Sequence, residues 1–304
     1  MNVSLERQVL RSADLDYAHR LDDVWEKNPY SVAELHAPVR ERLLFELEHL
    51  GLPSRSRLLR GPGGAGKTHL LGSLRQALCE APPETPLGET TFILVDMTDV
   101  TRFWHTVLLG YLESLHKEAR ETPGILQLDR VLERIFQEIS RGSSLHTKLR
   151  NCSTEDFPNL AKDILGNLHK KYRAEVGHHQ HVLRAIFALG TENFDLSNVG
   201  YTWLLGESLD EEKLALLGIG EREQDPREIL RGLSWILSLK GNTLLCLDQI
   251  DAIVAQGALY SKKTPSEELS EEERKAKGII LNLASGLAAL QDQTSRTLVL
   301  LSCL

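Results

Sequence analysis

The 304-residue chain is poor in cysteine, with only Cys79, Cys152, Cys246 and Cys303, and none forms a C-x-x-C pair. That spacing leaves no ligand set for structural zinc and no redox dithiol. Cys246 and Cys303 sit inside apolar runs, where a free thiol simply packs. No stretch of 18 consecutive apolar residues occurs, so no membrane-spanning helix is expected. The opening Met1-Asn2-Val3-Ser4-Leu5-Glu6-Arg7 lacks the charged-then-apolar layout of a signal peptide. Net positive charge is also missing: the formal charge is −8, so no global basic field advertises nucleic acid, although local patches remain open. Together these absences lead us to expect a soluble protein of the reducing cytoplasm.

What the sequence does hold is Gly61-Pro62-Gly63-Gly64-Ala65-Gly66-Lys67-Thr68, which fits the phosphate-binding pattern G-x-x-x-x-G-K-[ST] at every fixed position. Glycines allow positive φ, so successive backbone N–H groups turn inward on phosphate oxygens. Lys67 brings a positive charge to the β- and γ-phosphates, and the Thr68 hydroxyl suits Mg²⁺. His69 follows directly and joins the expected binding set. Before the loop, residues 54–60 are short enough for a strand. After it, Leu70, Leu71, Leu74 and Leu78 recur at helical spacing. Strand, glycine loop and helix in that order aim a helix N-terminus at an anion.

A second motif is the apolar run Leu244-Leu245-Cys246-Leu247 ending in Asp248-Gln249-Ile250-Asp251. A buried strand closing on an acid delivers that carboxylate to the Mg²⁺ side of a nucleotide site, which is the role expected of Asp248. The residue after it often polarises the attacking water. Here it is Gln249, which can hydrogen-bond water but cannot take its proton at neutral pH. Asp251 is the nearest substitute acid. Ser302, at the end of the apolar run 297–304, is placed to reach a γ-phosphate or its water.

The remaining chain reads as an α/β protein. Residues 5–27 suggest short helices. Ser31 and Glu34 form a capping-box pattern opening a helix that carries Leu35, Val39, Leu43, Leu47 and Leu50 on one face. Residues 91–97 have the continuous apolar character of a buried parallel strand, and 101–117 the spacing of a helix. We divide the chain into an N-terminal helical segment (1–30), a core formed by 31–117 and 226–304, and a mostly helical insertion over 118–225, far longer than an ordinary βα connection.

The motifs at 61–68 and 244–251, with the strand at 297–304, resemble the AAA+ and STAND branches of the P-loop ATPases. The resemblance covers about 31–112 and 226–304. It implies a parallel sheet flanked by helices, ATP with Mg²⁺ as cofactors, and protein partners or self-association in a nucleotide-switched assembly. More narrowly, Tyr201-Thr202-Trp203-Leu204-Leu205-Gly206-Glu207 with Leu216-Leu217-Gly218-Ile219 looks like the ATP-binding proteins of bacterial BREX-type phage-exclusion systems. From the residues alone the same stretch is an amphipathic segment, a turn and a second helix start. Gln249 departs from the usual Asp-Glu pair and points to slow hydrolysis. The family pattern also implies a further strand, an arginine finger and a helical lid beyond Leu304, so a truncated coding sequence is expected.

Weaker signals complete the reading. Over 141–173 there are seven basic residues, Arg141, Lys148, Arg150, Lys162, Lys170, Lys171 and Arg173, against three acidic ones. With Tyr172 as a stacking residue they offer a nucleic-acid contact, but a solvated helical face is the reading we favour. His178, His179 and His181 read as a helix-start cluster rather than a metal site, and Trp203 and Trp235 as core. Two functions remain: an ATPase motor or switch, acting on DNA or on partners, and a nucleotide-binding scaffold with negligible hydrolysis. A small-molecule kinase fits less well, because no acceptor-side acid pair is evident.

Overall fold

In the computed structural model the described residues are 24–26, 36–98, 101–119, 124–139, 142–220, 225–250 and 271–303. The 1–30 segment, the Ser31/Glu34 capping pattern and Asp251 therefore lie almost wholly outside them. Four parallel strands form the sheet: β1 (Arg55–Arg60), β2 (Thr91–Asp96), β3 (Thr243–Asp248) and β4 (Thr297–Cys303), in the order β1-β4-β3-β2. Helix α1 (Ala37–Glu48) precedes β1, and α2 (Lys67–Glu80) and α3 (Phe103–Leu115) flank β2 in sequence. The described helices that follow are α4 (Gln127–Gln137), α5 (Gly142–Arg150), α6 (Phe157–His169), α7 (Arg173–Leu189), α8 (Phe194–Leu204) and α9 (Glu211–Leu217). Then come α10 (Pro226–Ser238), β3, α11 (Glu271–Leu290) and β4. The fold is thus α/β, a parallel sheet flanked by helices.

The strand order decides which face each helix covers. From β1 the chain crosses the whole sheet to β2, then steps back to β3 and β4. Right-handed crossovers running in opposite directions place their helices on opposite faces. One face accordingly packs Phe92, Leu94, Leu244, Cys246, Leu298 and Leu300 under α2 and α1. The other packs Ile93, Val95, Leu245, Leu247 and Val299 under α3, α10 and α11. This alternation is why every strand but β1 reads as a continuous apolar run.

The helical insertion has no separate core. Leu132, Ile164, Phe187, Trp203 and Leu217 belong to the same cluster as Ile93 and Leu230. Its close helix crossing is at Gly200, where an added Cβ would meet the Ala185 carbonyl at 2.6 Å. In α1 the expected face is only half right: Leu43 and Leu47 are buried, but Val39 is 41% exposed. The helix begins later than the capping pattern implied, at Ala37, with His36 as N-cap in the left-handed region.

Strand β2 is an edge of the sheet, and its outward backbone groups are matched by side chains. Gln127 accepts from the Phe92 N–H at 2.9 Å and donates to the Phe92 carbonyl at 2.9 Å. The Ser114 hydroxyl accepts from the Leu94 N–H at 2.9 Å. Both side chains are buried, so removing one leaves backbone groups without solvent or partner. Gln127→Ala should lower unfolding free energy by about 1–3 kcal/mol, the cost of an unsatisfied buried group, as read from urea midpoints. An unchanged midpoint would mean that the clamp contributes nothing.

Candidate functional site

The carboxyl ends of β1, β3 and β4 converge on one place. The helix after β1 lies on one face of the sheet and the helix after β3 on the other, which opens a crevice above the strand ends. Side-chain alternation then selects what lines it. Asp248 follows Leu244 and Cys246, and Ser302 follows Leu298 and Leu300, so both carry their side chains to the α2 face.

The loop from Gly61 to Gly66 runs into α2 beneath this face. Gly64 and Gly66 have φ of 75° and 80°, a conformation other residues adopt at a cost. A Cβ built on Gly63 or Gly64 meets nothing within 4 Å, so conformation and not crowding demands glycine at Gly64. Pro62, Gly63 and Gly64 are exposed and Ala65 is half-buried. The Gly61 N–H donates to the Cys303 carbonyl at 3.2 Å, tying the loop to β4. Lys67 donates its Nζ to the Gly61 carbonyl at 2.8 Å and the Pro62 carbonyl at 3.3 Å, curling over the loop. His69 sits half-buried in the same first turn.

The deciding contact is between the two distant motifs. Thr68 donates its hydroxyl to Asp248 Oδ2 at 2.8 Å, across 180 residues of sequence. Asp248 is only 4% exposed, and its Oδ1 accepts from the Gln249 N–H at 2.9 Å. Gln249 stands at φ 65°, and its side chain is exposed. Ser302 is 1% exposed and its Oγ has no hydrogen-bond partner among the described residues, an orphaned polar atom on the same face as Asp248. A lysine, a hydroxyl, a carboxylate and an unsatisfied hydroxyl therefore gather where helix α2 presents its first N–H groups. These donors and charges fit a polyphosphate with a divalent cation: Lys67 and the loop N–H groups for the anion, Thr68 and Asp248 for the cation. Compared with known proteins, the chain matches no protein family, no curated protein and no solved structure.

Two residues escaped the sequence reading. His36 donates from Nε2 to the Ala65 carbonyl at 2.8 Å, bracing the loop from α1; nothing in its sequence context signals this. Asp96 closes β2 and is paired in register with Asp248. An apolar run ending in acid, the signal used for Asp248, was there to be read at 92–96. The fold thus makes an acid pair that is not evident in the sequence.

Two basic residues of the 141–173 stretch are paired with carboxylates within the protein. Lys171 pairs with Glu138, Lys240 reaches the same carboxylate at 3.3 Å, and Arg150 pairs with Glu192 at 3.1 Å. Tyr172 donates its hydroxyl to Glu138 at 2.6 Å and packs edge-on against Trp235, which removes it as a stacking surface. Burial pushes the Glu138 carboxyl up, but hydrogen bonds from Lys171, Tyr172 and Lys240 outweigh it and hold the group below its ordinary value. The three histidines lie at the kink in α7 where two helical segments join, and His179 marks it, at φ −106° and ψ 15°, stacked on Trp235. Burial, foremost, lowers the His179 pKa. Trp203 is buried as expected, and Trp235 is half-buried against the same core. Among the described residues no helix is long and apolar enough to cross a membrane.

Proposed function

We propose that this site binds ATP with Mg²⁺ and that the protein is an AAA+-like ATPase of P-loop fold, working as a slow hydrolase or nucleotide-dependent switch in a cytoplasmic multi-protein assembly. The observation that carries the reading is the 2.8 Å contact between Thr68 and Asp248, which joins the glycine loop to the acid-ended strand. Lys67 and the N–H groups of the loop and the first turn of α2 orient the phosphates, and Thr68 with Asp248 holds the metal. When bound, Mg²⁺ supplies charge neutralisation at the phosphates. Ser302 contributes a hydroxyl donor from the buried side. The resemblance to BREX-type ATP-binding proteins favours DNA as the material on which the assembly acts.

Gln249 supports a second reading, a scaffold whose ATP state orders partner contacts without appreciable hydrolysis. An amide positions water but does not accept its proton at neutral pH. Binding and chemistry separate the readings. Titration calorimetry should show Mg²⁺-dependent ATP binding that Lys67→Ala removes; equal binding by that variant would overturn the site itself. Single-turnover release of phosphate, stimulated by DNA and absent in Lys67→Ala, selects the motor or switch. Tight binding without release selects the scaffold.

A further inference from the structure

A cleft of about 460 Å³ opens beside the site at the carboxyl end of β2, and the reading above leaves it without a role. Its walls come from segments far apart in sequence. Trp25 lies near the N-terminus, Asp96 closes β2, Glu113, His116 and Lys117 close α3, and Tyr201 comes from α8 of the helical insertion. Tyr201 also opens the Tyr201–Glu207 stretch singled out in the sequence, which the nucleotide site does not use. The volume is in the range of small-molecule pockets, and the lining mixes flat aromatic area with a few charges.

The acidic and basic groups of the lining are Asp96, Glu113 and Lys117. Lys117 lies 5.8 Å from the centre of the Trp25 ring and Arg75 lies 5.1 Å from it, so the tryptophan side is electropositive. Tyr201 stands edge-on to His116 at 5.9 Å, forming a second aromatic wall. His116 hydrogen-bonds the Leu112 carbonyl through Nδ1, which leaves its Nε2 edge for other contacts. Asp96 accepts from the Thr98 N–H through Oδ1, at 2.9 Å, and is exposed. An aromatic surface, a cation and a carboxylate acceptor together match one ligand chemistry: a flat base bearing an exocyclic amine, attached to a phosphate.

We propose that this cleft is a second nucleotide-unit site, taking an amine-bearing nucleoside monophosphate, either free or as one unit of a single strand. The base stacks on Tyr201, its amine donates to Asp96, and Lys117, which stands over the Trp25 ring, meets the phosphate. The site rests on its own residues and not on ATP binding at the glycine loop. Because Asp96 is paired in register with Asp248, a ligand here would adjoin the ATP site and link it to the insertion through Tyr201.

The test uses the full chain carrying Lys67→Ala, so that the glycine loop does not capture the probe. Fluorescence anisotropy with labelled oligodeoxycytidylate of about twelve nucleotides should show binding, tighter than to oligothymidylate of equal length. Tyr201→Ala should weaken it roughly 5- to 150-fold, the span of one lost base–aromatic stack, while Tyr201→Phe keeps the affinity within about two-fold. Lys117→Ala should reduce the slope of log affinity against log salt by about 0.7. Displacement by free cytidine monophosphate identifies the free nucleotide as sufficient; binding of the strand without such displacement identifies a strand site. The proposal is overturned if neither probe binds, or if Tyr201→Ala binds like its parent. Parallel ATP titrations of the protein with Lys67 intact report on the glycine loop separately.

Discussion

Replacing Gln249 with glutamate should raise single-turnover ATP hydrolysis by about 10²–10⁴-fold, the usual contribution of a positioned general base. The two side chains have nearly the same shape, and the backbone at φ 65° asks the same of either, so the substitution changes chemistry more than structure. Gln249 is exposed at the strand end, directly after the carboxylate that Thr68 contacts. A glutamate there adds a proton acceptor beside Asp248, whose Oδ1 is already engaged by the Gln249 N–H. ATP affinity should change far less than the rate, because the loop and Lys67 are untouched. A Gln249→Glu variant that binds ATP normally and turns over no faster would show that the missing base is not what limits the reaction.

Asp248→Asn should abolish the difference between ATP binding with Mg²⁺ and with chelator, and lower any hydrolysis at least about 10²-fold. The lost term is the metal's charge stabilisation, worth several kcal/mol, each 1.36 kcal/mol being tenfold in rate. Asparagine keeps the size of the side chain, and its amide can still donate to the Thr68 hydroxyl, so a buried void is avoided. Thermal melting should therefore move little while metal dependence disappears. If Asp248→Asn retained full Mg²⁺ dependence, another acid would have to hold the cation, and Asp96, one strand away in register, would be the first to examine.

The parts legible in the sequence were those fixed by local chemistry. Glycine density at 61–66 announced a positive-φ loop, and Gly64 and Gly66 take that conformation. The strands at 91–96, 243–248 and 297–303 showed as apolar runs because both sheet faces are covered. What stayed hidden depends on how distant segments meet. No local pattern says that β4 lies between β1 and β3, or that Asp96 faces the same way as Asp248. Helical spacing in α1 named an apolar stripe, yet its Val39 is turned out, since only the packing partner selects the buried side. Charge counting over 141–173 missed that Glu138 and Glu192, both outside the window, absorb part of it. The reach of Tyr201 to a cleft beside β2 belongs to the same class of hidden contact.

Strand β1 has one strand neighbour among the described residues, and it is β4, the last of the described strands. Ser54, just before β1, bonds the Thr297 N–H across 243 residues. During synthesis at about 5–20 residues per second, the segment that carries the phosphate loop would wait roughly 10–50 seconds for its partner to emerge. The intervening helices can settle earlier, because their contacts are mostly local. A ribosome-bound intermediate with an ordered helical middle and an unpaired first strand is therefore the species that a chaperone would meet, and its exposed Leu58 and Leu59 are the natural handles for holding it.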